Sequence, residues 1–451
     1  MGHAQPPKGR RQERAPALAG MVQAAVRMVE QGNWSHAETL ARQALREAPG
    51  HPGAVAVLGI LAVEREDLQT GLVHLKEALA AGHRSAAAYR YLGYALSRLG
   101  EVEGALDACR RGLEMDPRDP ALANNMASAL MSKARWEEAR GWALRALELQ
   151  PESAHARFNL GLLDLQKEDF EAGWEGYEAR WELPGHRRPS LGRGLWGGTP
   201  LPGKHLLVYP DQRVEDTLMF ARFLRPVADL GLAVHLVVQP ELKDLFHPWS
   251  FLASLRAAEE SLPEFDVHAS LASLPRLLKV RRETPVWKGP YFSVPLLVPH
   301  RAELDRRLEV EGRRIGLLWR DPFAQGPDPF RSLPPEGARH LDPGAAGTLF
   351  TFSPLGSAQN TVDLQDCLGG LADLAHALSR LDLLVSVDAP AAHLAGAMGI
   401  PTLLLLHQNS DWRWGLGRED SPWYPGHRLL RQARYGDWNG PLAAAGSLLR
   451  E

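Results

Sequence analysis

Cysteine is nearly absent. Cys109 and Cys367 are the only two in 451 residues, and they stand far apart without metal-ligand spacing. That argues against a disulfide scaffold and a zinc site, and makes a reducing cytoplasm the expected setting. Neither sign of charge is in excess: 51 Lys and Arg face 54 Asp and Glu, for a net charge of -3. Nucleic-acid-binding domains usually run strongly basic, so that class is set aside. Long apolar runs are missing too. The longest, IPTLLLL at 400–406, suits a buried strand and falls well short of the roughly 20 residues of a membrane span. The opening MGHAQPPKGRRQERAP has neither the apolar stretch of a signal peptide nor the Ser or Thr of a myristoylation signal,. Residues 1–19 read as a disordered basic tail,.

What is present is a repeat. Bulky residues open successive second helices at Trp34, Leu68, Val102, Trp136 and Phe170, each 34 residues after the last. A small residue recurs ten positions on, at Ala44, Ala78, Gly112 and Ala146, and Leu-Gly pairs mark first helices at 58–59, 92–93 and 160–161. Small residues are needed where two helices cross closely, and the shared apolar positions build a core that no single unit buries alone. Period and small-residue positions together resemble the tetratricopeptide repeat. About five units are expected over 20–182. Such arrays present a groove to a peptide or protein, or serve as a scaffold for the next domain. Asn124, Asn125 and Asn159 fall on first helices, which line the concave side in that repeat family. An asparagine row there can grip a peptide backbone, since each amide both donates and accepts; solvated helix-face residues are the plainer reading. In the last unit Phe170, Trp174, Tyr177 and Trp181 form an aromatic stripe at helical spacing, as in a cap that packs onto a following domain,.

Residues 183–204, dense in Gly, Pro and Arg, end the array as a linker,. Strands then alternate with helices: HLLVYP, the helical EDTLMFARFLRPVADLG, AVHLVVQP and FDVHASLASLPRLL. A second series runs from RRIGLLWR near 313 through TLFTFSP, TVDLQD, GLADLAHALSRL, DLLVSV, PAAHLAGAMG and PTLLLLH, with a Trp-rich loop and a closing helix from Trp438. Alternation of this length implies parallel sheet, so 205–300 and 301–451 are expected to be two Rossmann-like halves. Ligands of such sheets bind beyond the carboxyl ends of the strands, where YPDQRVEDT, WRDPFAQG and SVDAPAAH fall,.

The succession FEAGWEGYEARW, WGG, LLVYPDQRVEDTLMFARFL, IGLLWR, RSLP, LADLAHALSRLDLLVSVDAPAAHLAGAMGIP and DWRWGLGREDSPWYPGHRLLRQ resembles bacterial tetratricopeptide-repeat glycosyltransferases with a heptosyltransferase-like half. The resemblance implies an α-solenoid followed by a GT-B fold. It also implies metal-independent, inverting transfer of a sugar from a nucleotide-sugar to a protein or glycan hydroxyl, with no further cofactor. It makes Asp216 the candidate base, which would take the acceptor's proton; without it, Asp216 is a helix N-terminal carboxylate favoured by the dipole. On the donor side it points to Thr217, Trp319, Arg320, Arg331, Ser332, Asp388, Ala389, His393 and Arg413. Asp388 ends a strand and is placed to cap the next helix, whose amides would face a diphosphate. His393 would touch phosphate or nucleotide; read bare, it is a satisfied core histidine. Trp412 and Trp414 read as packing residues.

Three departures oppose that chemistry. The glycines expected before Asp216 are replaced by Arg213-Val214-Glu215, so bulk and a carboxylate fill space where backbone should approach the ligand,. Ala389 stands where a hydroxyl is expected, and Pro390 removes a donor,. The loop after Trp319 reads RDPF rather than small and polar. The alternative is a catalytically degenerate adaptor that binds a partner protein through its repeats.

Overall fold

The computed structural model describes residues 8–211, 213–283, 289–323, 331–338, 341, 344, 347–355 and 361–450. The chain divides into two compact units, Met1–Leu160 and Gly161–Glu451.

The first unit is helical throughout. Its helices are α1 (Lys8–Glu30), α2 (Trp34–Glu47), α3 (Pro52–Glu64), α4 (Leu68–Ala80), α5 (Ala86–Arg98), α6 (Val102–Met115), α7 (Pro120–Ser132), α8 (Trp136–Leu149) and the start of α9 (Ala154–Gln166). Because α1 begins at Lys8, the tail expected over 1–19 is corrected from that residue on; residues 1–7 lie outside the described residues. Helix starts follow local chemistry. Asn33, Asp67, Ser85 and Asp119 each accept a backbone N–H of the first turn, and Pro52 and Pro120 fill first-turn positions whose N–H has no helical acceptor,. The core is made of small residues at crossings: a Cβ on Gly93 would stand 2.9 Å from the Cys109 sulfur.

The repeat also shows in the backbone. Gly32, Glu66, Gly100, Ala134 and Glu168 all have positive φ (71°, 62°, 82°, 54° and 63°), one every 34 residues. The tight turn between paired helices demands a left-handed residue whether or not glycine is there. For L-residues that conformation costs roughly 1–2 kcal/mol, part of which glycine's larger loss of backbone entropy offsets. Ala134→Gly is therefore expected to raise the unfolding free energy by about 0.5–1 kcal/mol, read as a higher urea midpoint. An unchanged or lower midpoint would contradict the strain argument.

The second unit opens with α10 (Phe170–Tyr177) and carries two sheets. This compact unit begins inside the repeats expected to run to 182, and the aromatic stripe of the last repeat packs within it. Trp174 lies 5.3 Å from Trp412 and 6.0 Å from Phe220, and Phe170 lies 5.2 Å from Trp423, ring centre to ring centre. Strands β1 (Gly194–Leu195), β2 (His205–Tyr209), β3 (Ala233–Val238), β4 (Ser254–Ala257) and β5 (Val267–Ser270) form a parallel sheet in the order β1-β5-β2-β3-β4. Strands β6 (Arg313–Leu318), β7 (Gly347–Thr351), β8 (Thr361–Asp363), β9 (Leu383–Val387), β10 (Thr402–Leu406) and β11 (His427–Arg431) form another, β11-β10-β9-β6-β7-β8, also parallel. Counted from β6, the second order is the 3-2-1-4-5-6 arrangement of doubly wound folds. The strand direction of travel reverses between β2 and β5 in one sheet and between β6 and β9 in the other. Those two switch points are where such sheets receive ligands.

Four elements differ from the expectation. β4 and β11 were not anticipated, and β1 lies within the stretch expected to be linker. The single helix expected over EDTLMFARFLRPVADLG is Val214–Phe220, a tighter turn at Ala221–Phe223, and Leu224–Asp229. Pro226 explains the break, since its ring clashes with the carbonyl four residues back. Part of the loop expected after Trp319, 324–330, lies outside the described residues. Among the described residues no helix is long and apolar enough to cross a membrane.

Candidate functional site

At the first switch point, β2 runs out into Asp211 and β5 ends at Ser270. The space between is taken by Arg180, from the turn after α10. Its guanidinium donates to Asp211 (2.7 Å), Glu178 (2.6 Å), Ser273 (2.9 Å) and Ser270 (3.2 Å). Tyr177 and Trp181 each lie 4.7 Å from its carbon. Arg180 is buried, and its donors are matched by oxygens. Neither Arg180 nor Asp211 stood out in the sequence.

Asp216 sits in the first turn of Val214–Phe220 and is buried, 6% exposed. It accepts a hydrogen bond from Arg413, itself 2% exposed. Arg413 also donates to Asp411 at 2.6 Å, and that carboxylate caps the Trp412–Trp414 turn. Trp412 covers the guanidinium at 4.5 Å. Around this centre Arg213 bonds Glu215 through Nε at 2.8 Å and approaches Asp411 at 3.9 Å, and Arg331 lies 3.6 Å from Glu215. Burial pushes the Asp216 carboxyl above the ordinary carboxylate range, against the pull of Arg413 and Arg213. Burial acts on Asp411 in the same sense, but Arg413, Arg213 and the Arg413 backbone N–H outweigh it and hold that group well below the ordinary range,. Arg213 and Glu215, two of the three residues that replace the expected glycine loop, are thus part of one ion network.

Thr217 is buried and donates to Gln239 at 2.9 Å. The donor-side residues gather at the second switch point, beyond β6 and β9. Trp319 is buried and donates to the Ser353 carbonyl at 3.3 Å. The guanidinium of Arg320 lies 5.3 Å from the Trp319 ring, and its Nε is buried without a hydrogen-bond partner among the described residues. Arg331 and Ser332 are half-buried on the following loop. Asp388 does not cap the next helix, which corrects the expectation: the cap position of Pro390–Met398 is Ala389, without a side-chain bond. An extended Ala389 ahead of Pro390 puts the aspartate one residue too early. Asp388 is 4% exposed, and its Oδ2 has no hydrogen-bond partner among the described residues.

His393 is 1% exposed, so its ring is enclosed rather than offered to solvent. Its Nδ1 is 2.9 Å from the Tyr424 hydroxyl, its Nε2 is 3.9 Å from Asp388, and the Trp414 ring lies 5.1 Å away. Burial lowers its pKa well below the usual histidine value. Trp412 and Trp414 are buried packing residues, and Phe323 is exposed.

The three asparagines are tied between neighbouring repeats. Asn159 donates to the Asn124 side chain at 2.9 Å, and Asn125 donates to the Arg90 carbonyl at 3.2 Å; each bond spans 35 residues. They staple one repeat to the next, a use that the 34-residue spacing itself makes available. Among the described residues no group of three His, Cys, Asp or Glu is placed to hold a metal ion.

Comparison with known proteins bears on these units unequally. The chain is 25% identical over 427 residues to protein FlbA of Caulobacter vibrioides, covering 84% of this chain and 69% of that protein. Solved structures that resemble it match over about a third of its length. YrrB, described as a repeat protein with an unusual peptide-binding site, is 22% identical with a TM-score of 0.30, covering 37% of this chain and 86% of that one. TTC0263, a repeat protein of Thermus thermophilus, is 21% identical with a TM-score of 0.31, covering 37% and 91%. The model of the tetratricopeptide repeat matches residues 57–120 and 124–181, so the helical array is built of tetratricopeptide repeats.

Proposed function

We propose that the chain is a protein-binding adaptor: its repeats recruit a partner protein, and its α/β unit is a GT-B-like fold whose transfer chemistry is shut. The observation that carries this reading is Arg413 lodged against Asp216. A base must reach an acceptor hydroxyl and exchange a proton with it. Asp216 is instead buried, and its charge is matched by a permanent cation that a second carboxylate holds in place. Arg180 supports the same reading by filling the crevice of the first sheet.

A second reading keeps the transferase. Asp388 Oδ2 and Arg320 Nε are buried polar atoms without partners among the described residues, at the carboxyl ends of β9 and β6, where a donor diphosphate would bind,. On it, Thr217, Trp319, Arg320, Arg331, Ser332, Asp388, Ala389, His393 and Arg413 serve a nucleotide-sugar, Asp216 is the base, and the repeats bring the acceptor.

Calorimetric titration with UDP-, GDP-, ADP- and CMP-linked sugars separates the two. The adaptor reading expects no binding tighter than about 1 mM (roughly -4 kcal/mol) from any of them. It also expects Asp216→Asn to leave partner capture unchanged. Sub-millimolar binding with sugar turnover that Asp216→Asn abolishes would reverse the assignment.

A further inference from the structure

The first sheet has a second opening, at the amino ends of its strands and so opposite its switch point. The turn Ala221–Phe223, the helix Leu224–Asp229, the loop running into β4 and the segment 290–293 line a cavity of about 330 Å³. That is the small end of the range for ligand pockets, roughly 300–1,000 Å³. Its walls are aromatic. Trp249 lies 5.3 Å from Phe251 and 5.1 Å from Phe292, and Tyr291 lies 5.3 Å from Phe292, ring centre to ring centre. Trp249, Phe251 and Tyr291 are only half-buried, which leaves apolar ring surface uncovered.

The charges that border this cavity are of one sign: Arg222 and Arg225 line it, and no lining residue is acidic. Asp229 meets Arg225 at Nε, at 2.8 Å, in an exposed pair on one helix. The Arg225 guanidinium lies 5.6 Å from the Phe251 ring, and its two Nη nitrogens have no hydrogen-bond partner among the described residues. Arg222 is 2% exposed. It donates to the Met219 carbonyl (2.9 Å), the Trp423 carbonyl (2.6 Å) and the Tyr291 hydroxyl (3.0 Å), with the Tyr424 ring 4.7 Å away. All of those partners are neutral, and no carboxylate pairs with Arg222 among the described residues.

Two arginines against one aspartate leave one positive charge over, and a buried charge without a counter-charge is costly. A cationic occupant is repelled here, and an uncharged one leaves the surplus in place. A monoanion balances it, where a phosphate dianion overshoots. The free Nη edge of Arg225 has the fork geometry that receives both oxygens of a carboxylate.

We infer that this cavity binds a small organic acid, its aryl or alkyl body lying on Trp249, Phe251 and Phe292 and its carboxylate on the Nη edge of Arg225, with Arg222 supplying the unmatched charge behind. The inference stands apart from the adaptor and transferase readings, which concern the repeats and the carboxyl-end crevices, so its failure touches neither. Ligand-observed NMR titration of the full chain tests it, with 3-phenylpropionate, 3-(indol-3-yl)propionate and hexanoate, each beside its primary amide. At least one acid is expected to bind with a Kd of about 1 mM or below, and at least about tenfold more tightly than its amide. Arg225→Gln is expected to erase that preference, and Arg225→Lys to keep part of it. Ser293→Trp, at an exposed lining position, is expected to abolish binding by filling the cavity while melting no lower than the parent. Acids and amides that bind alike would overturn the carboxylate assignment, as would a preference for the acid that Arg225→Gln leaves unchanged. Binding that ignores Ser293→Trp, or no binding by any of the six compounds to the folded parent, would overturn the site.

Discussion

Arg413→Ala is expected to cost the second unit about 3–5 kcal/mol of unfolding free energy, a large share of the 5–15 kcal/mol typical of folded domains. The reason is what stays behind. Arg413 is 2% exposed and serves Asp216 and Asp411 at once. Its removal strands two carboxylates in a site with little water, and the side chains of both are less than a fifth exposed. Such a pair need not be a net gain over apolar residues; breaking one side of it is what costs. Arg413→Lys keeps the charge but loses the fork that reaches both partners, so it should fall between the parent and Arg413→Ala. Asp216→Asn should cost less, since its amide oxygen still accepts from Arg413. Urea unfolding followed by tryptophan fluorescence reads all three, with Trp412 and Trp414 flanking the site. A loss below about 1 kcal/mol for Arg413→Ala would mean that the network is solvated, in the range of surface ion pairs, and would reopen Asp216 as a base.

Local rules made much of this legible, and long-range pairing made the rest opaque. The 34-residue period needed only side-chain size at fixed positions. Apolar runs such as Leu403–Leu406 announced their strands because parallel strands are buried on both faces,. β11 hid because His427-Arg428-Leu429-Leu430-Arg431 is half charged and sits among turn residues, and β4 because Ser254–Ala257 is short and only its last residue is fully buried. The ion network was out of reach for a different reason. Arg413 and Asp216 are 197 residues apart, and Arg180 and Ser270 are 90 apart. Nothing in either segment's composition selects its partner. Sequence can say that an aspartate begins a helix; only packing says that an arginine from the other half has already claimed it.

The same burial predicts loss of stability in mild acid. His427 is 3% exposed, shares an Nε2–H···O bond of 3.0 Å with the Ala392 carbonyl, and is stacked on Trp414 and tilted against Tyr424. Burial drives its pKa from 6.5 down to about 4, with Arg222 acting in the same sense and the Ala392 carbonyl opposing. The unfolded chain therefore takes up this proton below about pH 6.5, and the folded chain refuses it until about pH 4,. Stability from this group is fully present above pH 6.5 and is lost as pH falls, at roughly 1.4 kcal/mol per pH unit, for about 3 kcal/mol in all. His393 acts with the same sign. Its pKa is lowered by burial and by Arg413, His427 and Arg213, while Asp411 opposes them. Asp411, held below the ordinary carboxylate range, loses its contribution only at lower pH, His235 and His268 act with the same sign as the two imidazoles, and Asp216 and Asp388, raised by burial, oppose them. The slope of the unfolding free energy, measured in urea at half-unit steps between about pH 6.5 and 4, sums these opposing groups, and the His427 share is read by difference. His427→Gln, whose amide can keep the bond to Ala392, should remove about one proton from the slope. A slope that His427→Gln leaves unchanged would mean that the second unit opens to water around this ring, and the closed aromatic packing described for Trp414 and Tyr424 would have to be given up.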